Sequence, residues 1–234
     1  MNARFSSAIR AENELGFVAV IPDIKCISPK EGDLLKGRSP IDMAKRLASY
    51  GAPAMSVVTE RKHFGGSPFL LEVIADAVDV PILRKDFIAT QDMLKETVDL
   101  GATAALLICA ILDEKDLCAL IEGSLKLGLE PFVEVCTARE MSLANRYQAR
   151  LVGINNRNIS TLEHDDGNAS RTAALAGGLP EGAVLVSESG ILSPKDAQLA
   201  AASGANAVLV GTALWQADDM AAMYQSLRIC SGHV

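Results

Sequence analysis

The chain has 234 residues, 49% hydrophobic and 22% charged, which fits an ordinary globular protein and excludes a disordered or fibrous one. Its 22 Lys plus Arg against 29 Asp plus Glu give a net charge of −7, so nothing favours nucleic acid, and an anionic ligand must be held by local positive groups and backbone N–H donors. Five cysteines (Cys26, Cys109, Cys118, Cys136, Cys230) form no CxxC pair and only three histidines occur (His63, His164, His233), which argues against a metal site.

The opening Met1-Asn-Ala-Arg-Phe-Ser-Ser has no apolar signal core, and no apolar run approaches the length of a membrane span. An odd cysteine count fits a reducing compartment. The expectation is a cytoplasmic protein with no membrane partner.

Along the chain, short apolar runs rich in β-branched residues recur near 17–22, 54–58, 80–84, 104–109, 131–135, 151–155, 183–187 and 206–210. Many are apolar throughout, as strands buried on both faces of a parallel sheet are. Helix-length segments lie between them. Ser39-Pro40 opens one helix, with Ser as N-cap and Pro in the first turn, and places Ile41, Ala44, Leu47 and Ala48 on one face; Ser193-Pro194 opens another. Gly51, Gly101, Gly128 and Gly204 each precede the next apolar run, where a left-handed helix stop is needed. Eight βα units without a linker predict that residues 1–234 form one catalytic (β/α)8 TIM barrel with a short N-terminal extension. The punctuation alone also suits an open doubly wound sheet; the count of eight favours closure. The segment 59–69, with Gly65-Gly66 and several charges, reads as a mobile loop on the active face.

Several of these runs end in polar residues that a buried strand would not tolerate without a purpose, because an unpaired buried ion costs several kcal/mol or more. In a closed barrel all strand C-termini emerge on one face. Asp23 and Lys25, Lys85, Glu134, Asn155 and Arg157, and Glu188 should therefore converge. Any one of them alone could be a solvated strand end. Two lysines beside three carboxylates support general acid–base chemistry without a cofactor, although a Schiff-base lysine has the same spacing. Ser187-Glu-Ser-Gly190 and Leu209-Val-Gly-Thr-Ala213, on adjacent loops, suit a phosphate held by backbone N–H groups, and Ser28-Pro29-Lys30 can fold over from the other side. Cys109, Cys136, Phe5 and Trp215 read as packing, and His63 and His164 as surface residues.

The segments Asp23-Ile-Lys-Cys-Ile-Ser-Pro29, Leu83-Arg-Lys-Asp-Phe87, Val133-Glu-Val135, Gly153-Ile-Asn-Asn-Arg157, Ser187-Glu-Ser-Gly-Ile191 and Val210-Gly-Thr212 resemble the indole-3-glycerol phosphate synthase family, over nearly the whole chain. The resemblance implies a cofactor-free lyase of tryptophan biosynthesis. Such an enzyme closes, decarboxylates and dehydrates 1-(2-carboxyphenylamino)-1-deoxyribulose 5-phosphate. By position, it makes Lys85 the general acid on the substrate carbonyl, with Glu134 as its carboxylate partner. Lys25 holds the substrate carboxylate or gives a proton later. Asn155 and Glu188 orient the substrate, Phe87 forms an apolar wall, and Ser28, Arg157, Ser189, Gly190, Gly211 and Thr212 surround the phosphate.

Three departures stand out. Asp23 occupies a position where the family has glutamate. Cys26 replaces the usual arginine, with Ile27 after it. The segment before the first strand is short, leaving little room for a helix over the site. They keep open a repurposed, non-catalytic sugar-phosphate-binding barrel. Phosphoribosylanthranilate isomerase is a weaker alternative resting on Cys26, because the Arg-Lys-Asp-Phe and Asn-Asn-Arg motifs fit the synthase better. The expected partner is a small phosphorylated molecule, the working expectation a monomer.

Overall fold

A computed structural model describes residues 4–157 and 169–230; His164, His233 and the 159–163 segment lie outside the described residues. Eight parallel strands close on themselves: β1 (Ala19–Ile24), β2 (Met55–Val58), β3 (Ile82–Lys85), β4 (Ala104–Ile108), β5 (Glu130–Val135), β6 (Leu151–Asn155), β7 (Val184–Glu188) and β8 (Ala207–Val210). Closure comes from β1, which pairs with β2 through Asp23 opposite Ser56 and with β8 through Ala19 opposite Ala207. All eight expected runs are strands, to within about two residues at each end. The fold is the (β/α)8 barrel that the count of eight favoured over an open sheet.

The helices are α1 (Phe5–Glu14), α2 (Pro40–Ser49), α3 (Pro68–Ala77), α4 (Gln91–Asp99), α5 (Glu114–Lys126), α6 (Ala138–Arg146), α7 (Ser170–Leu175), α8 (Pro194–Ala202), α9 (Thr212–Gln216) and α10 (Met220–Leu227). Ser39 and Ser193 accept hydrogen bonds from Asp42 N and Asp196 N, as N-caps do. Ser67 caps α3 in the same way ahead of Pro68, so the supposed loop 59–69 ends in a helix start of the same Ser-Pro type. Nor is the rest of it loose. The Glu60 carboxylate accepts from the backbone N–H groups of Lys62, His63 and Phe64 at 2.8–3.1 Å, and the Phe64 carbonyl accepts from Ile27 N at 3.0 Å. His63 is correspondingly half-buried rather than a plain surface residue: its ring centroid lies 6.4 Å from that of Phe87. Gly51, Gly101, Gly128 and Gly204 have φ between +80° and +95°, the left-handed helix stops that the sequence demanded.

Two apolar layers result. The outer one lies between strands and helices; the inner one fills the barrel. At the end away from the strand C-termini the inner layer is built partly from Ala19, Ala54, Ala104 and Ala207, whose small side chains leave a hollow. Phe5 and Ile9 of α1 fill it, fully buried, with the Phe5 ring edge-on to Phe132 at 6.5 Å. Glu130 accepts from Ser6 N at 3.3 Å, which anchors the start of α1. The short N-terminal segment does form a helix, but one that closes the floor of the barrel. Its Phe5 packs as the sequence suggested.

Phe5→Ala should cost about 3–5 kcal/mol of stability, the usual loss for a fully buried aromatic. Urea unfolding monitored by circular dichroism measures this, and the change should leave turnover of the folded fraction unaltered because the opposite end of the barrel is intact.

Candidate active site

Strand alternation sends consecutive residues to opposite faces, and this decides which polar groups reach the mouth. In β3, Arg84 points outward. It is 2% exposed, donates to Thr59 Oγ1 at 3.0 Å and Thr97 Oγ1 at 3.2 Å, and pairs with Asp86 at 3.2 Å and Glu96 at 2.8 Å. A buried guanidinium with this many partners fixes β3 to α4. Lys85, the next residue, is thereby aimed inward. Asp86 accepts from Phe87 N at 2.9 Å, which helps set Phe87 at the rim.

The mouth is a cleft with a cavity volume of about 100 Å³, open to solvent on one side. Its lining brings together Asp23, Lys25, Lys85, Phe87, Glu134, Asn155, Arg157, Ser189, Gly190, Gly211 and Thr212, nearly all the residues the sequence nominated. Glu188 lies just beneath, fully buried, and reaches the mouth through Lys85. Ser28 does not line this space. It is buried in a small hairpin of Ile27–Ser28 with Gly32–Asp33, where its hydroxyl accepts from Glu31 N at 3.3 Å. Glu60, Phe64, Leu106, Ile108, Ile191, Leu192 and Leu209 also line the mouth and were not nominated. The apolar ones read simply as core. Phe64 had a signal, an aromatic between charges and a Gly-Gly pair, and Lys25 Nζ lies 5.8 Å from its ring centroid.

The central interaction differs from the expected one. Lys85 Nζ donates to Glu188 Oε2 at 2.8 Å, spanning the barrel from β3 to β7; Glu134 is not its direct ion-pair partner. The reason is the shape of β6. Gly153 stands opposite Glu134 in the β5 register, and a Cβ there would lie 2.5 Å from Glu188 Oε1 and 2.2 Å from the Phe132 ring. Without that Cβ, the Glu188 carboxylate settles into the space and meets the ammonium from below. Glu134 instead accepts from Asn155 Nδ2 at 3.1 Å.

Burial alone would lower the pKa of the Lys85 ammonium, but the carboxylates of Glu188, Asp23 and Glu134 together outweigh it and hold it above its ordinary value. For Glu134, burial and then the charge of Glu188 push the carboxyl up to about 8, with Lys85 and the Asn155 hydrogen bond partly offsetting the rise. Among the described residues no amide, hydroxyl or ammonium donates to Glu188 Oε1, and a protonated Glu134, which hydrogen-bonds Glu188, is placed to supply that donor. At pH 7 these shifts favour a charged Lys85 ammonium beside a Glu134 carboxyl that keeps its proton.

On β1, the Asp23 carboxylate accepts from the fully buried Ser56 hydroxyl of β2, and its carbonyl accepts from Trp215 Nε1 at 2.9 Å. Cys26 is buried, and its carbonyl accepts from Leu34 N at 3.0 Å; Ile27 lies against Gly65, where a Cβ would come within 2.7 Å of Ile27 Cδ1. Ile27 thus packs the first loop on the second, whereas the Cys26 bond is a backbone one within the first loop. Burial raises the Cys109 and Cys136 thiols to about 12, so neither is a thiolate nucleophile at neutral pH. Among the described residues no group of three or more His, Cys, Asp or Glu side chains is arranged to hold a metal ion, and no helix is long and apolar enough to cross a membrane.

Solved structures share the fold. Orotidine 5'-phosphate decarboxylase from Pyrococcus horikoshii superposes with a TM-score of 0.66 at 14% identity, covering 89% of this chain and 96% of that one. Thiamine phosphate pyrophosphorylase from Pyrococcus furiosus does so with a TM-score of 0.64 at 11% identity, covering 90% and 93%. Similarity in sequence is more specific. The indole-3-glycerol phosphate synthase of Pyrococcus abyssi is 39% identical over 214 residues, 90% of this chain and 93% of that protein, and that of Pyrococcus furiosus is 42% identical over 202 residues, covering 86% and 88%. With the family model matching residues 2–227, the chain belongs to the indole-3-glycerol phosphate synthase family.

Proposed function

We propose that this barrel converts 1-(2-carboxyphenylamino)-1-deoxyribulose 5-phosphate to indole-3-glycerol phosphate, with Lys85 as the general acid. The observation that carries this reading is the Lys85 ammonium held charged across the barrel by Glu188, beside a carboxyl of Glu134 that stays protonated to about pH 8. In ring closure the aromatic carbon bearing the carboxylate attacks the ribulose carbonyl. Lys85 donates a proton to the developing alkoxide, and Glu188 stabilises the ammonium before transfer. Carbon dioxide then leaves and its bonding electrons restore the aromatic ring, so no electron sink is required. The hydroxyl created in the first step departs as water with a proton from Glu134, while loss of a proton from the ring CH2 beside the nitrogen forms the new double bond and completes the indole.

The remaining residues position the substrate. Lys25 pairs with the substrate carboxylate until it is lost. Asp23, steadied by Ser56, takes up the proton released in the last step. Asn155 links Glu134 to the substrate hydroxyl, and Phe87, Phe64 and Leu106 flank the anthranilate ring. Arg157, Ser189, Gly190, Gly211 and Thr212 receive the phosphate, with Ser28 supporting the loop above. Five free thiols, two of them buried, support placement in a reducing cytosol.

Given the ribulose phosphate substrate, the purified protein should develop indole absorbance and fluorescence, and Lys85→Ala should lower kcat by at least about a thousandfold while the circular dichroism spectrum is retained. Ligand binding without product in the unmodified protein would instead establish a non-catalytic barrel. The pH profile adds a second test. As an acid, Glu134 should give kcat/KM an alkaline limb with a midpoint near 8, absent from the residual activity of Glu134→Gln.

The same raised pKa acts on stability. Because the folded state keeps the Glu134 proton to about pH 8 while the unfolded chain releases it near 4.5, the native protein loses stability as pH climbs through that window. Glu134→Gln removes the penalty. Its unfolding free energy relative to wild type should rise by the order of a few kcal/mol between pH 5 and pH 8, as read from urea titrations at each pH.

A further inference from the structure

Asn155, the last residue of β6, and Asn156 just after it face opposite ways. Asn155 lines the mouth. Asn156, 3% exposed, makes its side-chain contacts inside the wall between β6, β7 and α7. Its Nδ2 lies 3.0 Å from Ser187 Oγ, the Glu188 carbonyl and the Ser189 carbonyl alike, and its Oδ1 accepts from Thr172 N at 3.1 Å and Thr172 Oγ1 at 3.0 Å. Thr172 Oγ1 and Ser187 Oγ are themselves 2.7 Å apart. The network ends on a loop of unusual backbone. Ser189 has φ +64°, and Gly190 after it has φ +71°.

For glycine this conformation is free, whereas for serine it costs about 1–2 kcal/mol and persists only when the surroundings impose it. Asn156 donates to the carbonyls of Glu188 and Ser189, the peptide groups on either side of the strained residue. A turn through successive left-handed residues exposes backbone N–H groups to an anion, and both Ser189 and Gly190 line the mouth.

We propose that Asn156 is a positioning residue for the phosphate end of the substrate: it clamps Ser189 in the left-handed conformation that shapes the phosphate-binding turn, and Thr172 of α7 holds it in register. The inference rests on the reading of Ser189 and Gly190 as phosphate contacts. Asn156 touches no reacting atom, so its loss acts on binding rather than on chemistry. Specificity for a phosphorylated substrate then depends on a buried amide behind the loop.

Asn156→Asp keeps the acceptor and removes the donors; Asn156→Ser is the milder variant if the aspartate protein does not fold. Either should raise KM and the inhibition constant of inorganic phosphate about tenfold, the equivalent of one or two good hydrogen bonds, with kcat changed by less than about threefold and the pH profile of kcat unmoved. The specific signature is rescue. Adding Ser189→Gly removes the cost of the left-handed residue and should recover several-fold of the lost phosphate affinity. A folded Asn156 variant with unchanged phosphate inhibition, or one whose defect Ser189→Gly does not relieve, overturns the inference. Arg157→Ala and Gly190→Val test the underlying reading separately: if both leave phosphate inhibition unaltered, the phosphate site lies elsewhere and the inference falls with it. If they weaken it while Asn156→Asp does not, the inference alone is lost.

Discussion

Charge compensation across the barrel is the constraint from which most of the mouth follows. The Lys85–Glu188 bridge joins strands on opposite sides of a closed sheet, and Glu188 has no exposure to water at all. An ion so placed must be matched almost completely, since removing either member of a buried pair leaves the other uncompensated at a cost of roughly 3–5 kcal/mol. That requirement accounts for a glycine at 153, which vacates the space the carboxylate occupies. The neutral state of Glu134 follows from its burial first and then from the Glu188 charge beside it, which Lys85 only partly offsets. A proton stored on Glu134 and an ammonium that resists deprotonation are thus consequences of one electrostatic balance.

A second regularity runs round the rim. Arg84 and Lys85, Asn155 and Asn156, and Ser187 and Glu188 are adjacent polar pairs at the ends of three strands, and in each the pleat sends one residue into the mouth region and the other into the wall. The inner member lines or underlies the mouth. The outer member ties its strand to the neighbouring helix or loop through buried hydrogen bonds, as Arg84 does to Thr97 of α4 and Asn156 to Thr172 of α7.

Much of this was legible in the residues. Eight apolar runs with glycine stops predicted eight strands because a doubly buried parallel strand has few sequence options, and the polar residues at their ends converge because a closed barrel leaves them nowhere else to go. What could not be read was partner choice across the barrel. Lys85 pairs with Glu188 rather than Glu134 because of a side chain that Gly153 lacks, and a missing side chain carries no polar signal. The ordering of the 59–69 segment escaped notice for a related reason: Glu60 accepts from three backbone N–H groups of its own turn, a local bond that charge and glycine content do not reveal. Ser28 sits in a separate hairpin after β1, a local pairing of Ile27–Ser28 with Gly32–Asp33 that these short segments do not announce.

The floor helix has a consequence for traffic. With Phe5 and Ile9 filling the far end and Phe5 edge-on to Phe132, the described residues form a cup closed at the floor and open at the mouth. Carbon dioxide, water and a rigid bicyclic product must all leave by the opening through which the substrate arrived. The hairpin and second loop, joined by the Ile27 N–H and the Phe64 carbonyl, stand beside that opening, so every molecule that passes it meets the ring of Phe64.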